Sequence, residues 1–234
     1  MGKNRDRIES QPGEELYYTC CKYLKSKDLD SCYDILPHIS VIKDPRLLPL
    51  FREFLESGER ECMELAACAL AALGDKAAVP WLMKLFDNPA IFSGPGCQKF
   101  QAVILDAIGE IGHDSASDPL LDLFHRHIPG DRFRRKRRLI IVEVLGAIAQ
   151  QGGERALHHL VDLMEHQDFM VRANAVTNIS LAFWHRPNDL PREIFDRMLT
   201  LFKDSDLYVQ YSLLSALENL DDVGCRLASD LFSD

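Results

Sequence analysis

A chain of 234 residues with 47% hydrophobic and 27% charged side chains has the patterning of a folded, water-soluble protein, which excludes a disordered one. Its formal net charge of −9 argues against unselective binding to nucleic acid, because phosphate attraction needs a positive field. The longest apolar run, Leu139 to Ala149, is interrupted by Glu143 and falls well short of the roughly 20 residues that cross a bilayer, so no membrane partner is expected.

The chain opens on MGKNRDRIES, with charges where a signal peptide needs an apolar segment and Asp6 where a myristoylation motif wants Ser or Thr. Residues 1–13 are read as a flexible N-terminal segment of a cytoplasmic chain. Beyond them helix signals follow one another without a convincing β-hairpin. The periodicity predicts helices over about 14–25, 28–41, 44–57, 59–73, 76–87, 97–111, 117–127, 132–150, 154–166, 169–184, 190–203, 207–220 and 223–232. Breakers separate them at Gly94-Pro95-Gly96, Pro129-Gly130, Gly152-Gly153 and in RPNDLP from Arg186. No long linker intervenes, so residues 14–234 are expected to form a single all-α domain. Seven cysteines, an odd number with no CxxC pair, read as small apolar residues in a reducing compartment.

The same helix end is written repeatedly. Its paired apolar mark falls at Phe54/Leu55, Leu85/Phe86, Leu123/Phe124, Leu163/Met164, Leu201/Phe202 and Leu231/Phe232, at intervals of 31, 38, 40, 38 and 30. Tyr23/Leu24 is a plausible degenerate copy upstream. A period of this size filled by helix signals alone marks an array of helical hairpins. Each marker helix carries an apolar stripe, as in Ala156, Leu160, Leu163 and Met164. A second amphipathic helix precedes it and ends in glycine or a polar loop, as in ELAACALAALGDK. Two units open alike, DFMVRANA and DLYVQYSL, with Asp168 or Asp206 placed to cap its helix and Val171 or Val209 to enter the core. A hairpin of this kind cannot bury its apolar surface alone, so neighbours must stack.

ALGDKAAVPWLMKLFDN, AIGEIGHDSASDPLLDLFHRH and DFMVRANAV resemble HEAT repeats of the short, bacterial type named after phycobilisome lyases. The resemblance runs from about residue 14 through nearly the whole chain. It implies a right-handed α-α superhelix, a HEAT-like solenoid of about six helical-hairpin repeats whose second helices line a concave surface. It also implies that Asp168 and Arg172 can bond between neighbouring units, although Gln210 stands at the second Arg position and leaves that ladder incomplete.

Repeat proteins of this kind mostly bind, and no P-loop, GxSxG elbow or Cys-His pair suited to nucleophilic work is written here. The chain is therefore read as non-enzymatic, with no cofactor. The marker frame places exposed second-helix positions at Glu53 and Glu56; at Lys84 and Asp87; at Asp118, Asp122 and His125; at His158, Asp162 and Glu165; and at Asp196, Thr200 and Lys203. Such a face is acidic in its middle and suits a protein partner with a basic or amphipathic segment; it also reads as an ordinary solvated helix face. Trp81, one position off the row, is either an aromatic anchor for that partner or a plug in a helix joint.

One run departs from the acidic balance. Arg132, Arg134, Arg135, Lys136, Arg137 and Arg138 open a predicted helix, where cations oppose the helix dipole by about 0.3 to 1 kcal/mol each. Compensation comes either from an anion held by Arg132, Arg134, Arg135 and Arg138 with the first-turn N–H groups, or from neighbouring acidic helix ends including Glu110 and Asp114. Phe133 is assigned to the apolar stripe with Ile140 or Ile141. The pairs His125/His127 and His158/His159, with His166 and Asp162, do not converge as a zinc site requires, so no metal is expected. HEAT-like iron hydroxylases carry repeated His-Glu pairs, and this chain has none. The expected function is a scaffold or adaptor that binds a protein through the concave acidic face. Two alternatives remain: a bilin lyase-like chaperone or enzyme subunit, as the resemblance allows, and nucleic-acid binding through residues 132–138.

Overall fold

The computed structural model describes residues 13–26 and 29–220, all of whose regular elements are helical. The expected helix 223–232, its mark Leu231/Phe232, Cys225 and residues 1–12 of the expected flexible segment lie outside the described residues. The chain divides into two compact units, Met1–Ile111 and Gly112–Asp234.

In the first unit, α1 spans Gly13–Ser26 and α2 Leu29–Ile42. A 3-10 turn at Pro45–Leu47 leads into α3, Leu48–Glu56, followed by α4, Arg60–Leu73, α5, Ala78–Leu85, and α6, Cys97–Ile111. Asp44 starts the third element by accepting the Arg46 amide at 3.0 Å, with Pro45 at the position where a missing N–H costs nothing. Helix α4 ends on Gly74, whose φ of 68° lets its amide return to Leu70 and Ala71 carbonyls. Helices α2, α4 and α6 pack in a row, α3 packs on α4 and α5, and α5 also packs on α6.

In the second unit, α7 spans Ser117–His125, α8 Arg134–Gln150, α9 Glu154–Leu163, α10 Phe169–Phe183, α11 Arg192–Leu199 and α12 Leu207–Asn219. Here α8, α10 and α12 form the row of first helices, and α9, a second helix, packs on α7, α8 and α10. The capping expectations hold. Asp168 accepts the Met170 amide at 3.0 Å and Asp206 the Tyr208 amide at 2.9 Å, while Val171 and Val209 are buried. Both members of Leu123/Phe124 and of Leu163/Met164 are buried, as are Leu55, Phe86 and Leu201. Each described mark from Phe54/Leu55 to Leu201/Phe202 therefore buries at least one member, with Phe54, Leu85 and Phe202 half-buried, and this burial is a main stabilising term at about 25 cal/mol per Å² of apolar area. The expected helix 190–203 ends early: its last turn tightens into a 3-10 segment at Thr200–Lys203, with the Thr200 hydroxyl donating to the Arg197 carbonyl at 2.7 Å.

Rows of first helices approach closely at one glycine. A Cβ built on Gly146 of α8 would lie 2.1 Å from the Asn178 side-chain oxygen and 2.7 Å from Asn178 Cβ, so a glycine in mid-helix is what lets α8 meet α10 there.

Candidate functional site

The second helices of the second unit present the expected row. Asp118, Asp122, His125, His158, Asp162, Glu165, Asp196, Thr200 and Lys203 are all exposed, on helices whose opposite sides carry the buried Leu120, Leu123, Leu160, Leu163, Phe195 and Met198. The row is not simply acidic. Arg155 of α9 reaches Asp118 of α7 at 2.9 Å, and His159 Nε2 meets the other Asp118 oxygen at 2.8 Å. Arg197 of α11 reaches back to Glu165 at 2.7 Å and Asp162 at 3.6 Å. Within α11, Arg192 pairs with Asp196 at 2.8 Å. The His159 and Arg155 contacts hold the Asp118 carboxyl below its usual range. Asp122 makes no side-chain bond among the described residues and stands exposed.

Arg155 and Arg197 are not among the residues expected in this row, and His159 is expected only as one of a histidine pair, although a signal exists. His159 and Arg197 occupy the marker position four residues before Leu163 and Leu201, where Trp81 stands before Leu85. Asp114 is also drawn into this edge. Burial acts to raise its pKa, but the Ser117 hydroxyl, the amides of Ala156 and Arg155 and the Arg155 guanidinium outweigh it and hold the carboxyl low. Its oxygens accept the Ala156 and Arg155 amides at 3.1 and 3.3 Å, so it caps α9.

Three of the run's six cations are compensated within the second unit, by partners other than Glu110 and Asp114. Arg135 forms a fork on Asp168 with two bonds of 2.9 Å, which pulls the Asp168 carboxyl below its usual range. Arg137 is buried: its Nε donates to Asp131 at 2.9 Å, both side chains being 1% exposed, and its two terminal nitrogens donate to the Leu123 and Arg126 carbonyls. Arg138 donates to the Phe124 carbonyl at 2.9 Å and lies 4.8 Å above the Phe124 ring. These three cations serve the α7–α8 junction and the α10 cap. Arg132, Arg134 and Lys136 make no side-chain bond among the described residues, and Arg134 Nε is buried without a partner. Phe133 departs from the expected stripe and is 39% exposed.

The ladder implied by Asp168 and Arg172 exists in shifted form. Arg172 forms two bonds of 2.7 Å to Asp204, not Asp206, and donates to the His166 carbonyl at 2.9 Å. The Arg172 contact holds the Asp204 carboxyl low. Gln210, at the vacant Arg position, donates to the Asp204 carbonyl at 2.7 Å.

In the first unit, Trp81 is half-buried in a cleft of about 180 Å³ between α3 and α5, lined by Arg52, Leu55, Glu56, Lys84, Leu85 and Asn88. The Arg52 guanidinium lies 5.1 Å from its ring centre, so the indole both fills the joint and keeps an open edge. Lys84 is exposed beside it. The described cysteines form no disulfide, and burial pushes the Cys20 thiol up to about 12, the behaviour of a packing residue rather than a nucleophile. No group of three His, Cys, Asp or Glu is placed to hold a metal among the described residues, and no described helix is long and apolar enough to cross a membrane.

Among curated proteins none matches the chain in sequence. Solved structures similar to the chain include the following two. The complex of CpcE and CpcF of phycocyanin lyase from Nostoc sp. PCC7120 is 15% identical, with a TM-score of 0.40, 95% of this chain and 91% of that chain being covered. An engineered protein from the Northeast Structural Genomics Consortium is 20% identical at a TM-score of 0.40, with 90% and 97% covered. Residues 64–88, which run from α4 through Gly74 to the end of α5 and include Trp81, match the family model of the PBS lyase HEAT-like repeat, the repeat type that the sequence resembles.

Proposed function

We propose that this chain is a non-enzymatic binding scaffold of the cytoplasm that engages a protein partner through the exposed side chains of α7, α9 and α11. One observation carries the reading: carboxylates on successive second helices face solvent and are held in register by Arg155, His159 and Arg197 from the neighbouring helix. Side chains fixed in this way have already lost the freedom that binding would otherwise remove, which favours recognition over a flexible surface of the same charge. The alternation of carboxylate and guanidinium suits a partner with a basic or amphipathic segment and an acidic residue opposite Arg197, rather than an unstructured polycation. In the first unit, Trp81 with Lys84 is the proposed aromatic contact.

The test is affinity capture from the source cell with the full chain as bait. One dominant protein at near-stoichiometric amount is expected, and Asp122→Lys with Asp162→Lys and Glu165→Lys should release it. Capture unchanged by that triple substitution would remove the second-helix row from the proposal.

A further inference from the structure

The cations left over from the Arg run border a cavity. Between the start of α8 and the start of α10 a space of about 390 Å³ is lined by Phe133, Leu139, Phe169 and Met170, together with the exposed Arg132 and Lys136. That volume is within the range of a ligand site. Arg135 also borders it, but its guanidinium is committed to Asp168 and lies 5.5 Å from the Phe169 ring centre, so it acts as wall. Arg132 and Lys136 are exposed and have no side-chain partner among the described residues, and Phe133 is left 39% exposed although aromatic.

An apolar recess rimmed by unpaired cations is complementary to a chain that carries an apolar side chain between carboxylates. A nucleic-acid backbone fits less well, because three of the run's six basic residues are spent on protein groups and tracking phosphates requires many cations acting together. We propose that this recess binds an acidic peptide segment of a partner, with one aromatic or leucine-sized side chain in the cavity and flanking carboxylates on Arg132 and Lys136. The proposal rests on the scaffold reading but uses a different surface from the α7, α9 and α11 row.

The test is fluorescence anisotropy of a fluorescein-labelled Glu-Asp-Phe-Asp-Glu peptide titrated with the full chain. Saturable binding is expected, weakening as salt is raised from about 0.05 M to about 0.5 M because the contacts are exposed and screened. Arg132→Glu with Lys136→Glu should weaken it at least about ten-fold, while Arg132→Lys with Lys136→Arg should retain it. A peptide with Ser in place of Phe should bind about ten-fold more weakly. Equal binding by the charge-reversed protein or by the Ser peptide would overturn the proposal, as would displacement of the peptide by a short DNA duplex at lower concentration. Charge-reversed protein must keep the wild-type far-UV circular dichroism, which both exposed positions permit. If this variant loses the peptide yet still captures the partner through α7, α9 and α11, the two surfaces are separate; peptide binding by the wild-type chain with no protein captured by it fails the scaffold face without touching the recess.

Discussion

Replacing Arg137 with methionine tests how the Arg run is held. The guanidinium is 1% exposed, as is the Asp131 carboxylate that it meets at 2.9 Å; burial pulls the Arg137 pKa below its usual value, and the Asp131 contact opposes that fall. Removing one partner of a buried pair leaves the other charge uncompensated, at about 3–5 kcal/mol. Methionine keeps most of the aliphatic volume, so little of that loss is cavity. For a chain of this size about 4 kcal/mol corresponds to a fall in Tm of roughly 8–16 °C. Thermal and urea unfolding followed by far-UV circular dichroism measure it, with Lys136→Met, exposed one position earlier, as a control expected within about 0.5 kcal/mol. Adding Asp131→Asn to Arg137→Met should recover at least half of the loss, because the unpaired charge disappears while Oδ1 can still accept the Phe133 amide. An Arg137→Met loss no larger than that of the control would refute the reasoning, and a double variant worse than the single would refute the charge argument within it.

Acidification should act through two sets of groups. His166 Nδ1 accepts the Asp168 amide at 3.0 Å; burial, then the Arg138 charge, lowers its pKa, while Asp168 acts in the other direction. The unfolded chain therefore protonates first, so stability is full above the unfolded histidine value of about 6.5 and falls as pH drops below it; His166→Phe should flatten the unfolding profile between pH about 7.5 and about 5.5. A second loss follows below pH about 4, as Asp168 and Asp204, held low by Arg135 and Arg172, take up protons on unfolding before they do when folded. Asp204→Asn should cost about 2 kcal/mol, since Asp204 and Arg172 are only 7% and 14% exposed, against less than about 0.5 kcal/mol for Arg192→Ala at the exposed Arg192–Asp196 pair; equal costs, measured by urea unfolding, would contradict the ladder. Gly146→Ala should destabilise by about 1 kcal/mol, because crowding Asn178 at about 1–3 kcal/mol exceeds the helix-propensity gain of about 0.5–1 kcal/mol. Purified chain mixed with a bilin should acquire no protein-bound visible absorption; a bound chromophore would favour the lyase-like alternative instead.

The helices were legible because each writes its own period and its own stop. Gly74 closes α4, Asp168 and Asp206 open α10 and α12, and the marks Leu123/Phe124 and Leu163/Met164 name the buried side. What was not legible depends on which side chains neighbouring helices bring together. Asp118 and Arg155 are 37 positions apart and Arg172 and Asp204 are 32, so no local pattern discloses that the acidic row is interleaved with guanidinium groups. Arg137 was disguised by its company. It stands four residues before Ile141 and eight before Leu145, on the buried stripe of α8, yet five basic neighbours hide it within a run of charge. Asp131, in the turn before α8, caught both the Phe133 amide and the Arg137 side chain, and turn residues carry little periodic signal.

Contact with the partner is assigned to α7, α9 and α11. Hydrogen–deuterium exchange of the chain with and without the captured protein tests it directly. Added protection is expected within 117–125, 154–163 and 192–199, lost with Asp122→Lys, Asp162→Lys and Glu165→Lys. Protection confined to the row of α8, α10 and α12, or none on the second helices, would contradict it.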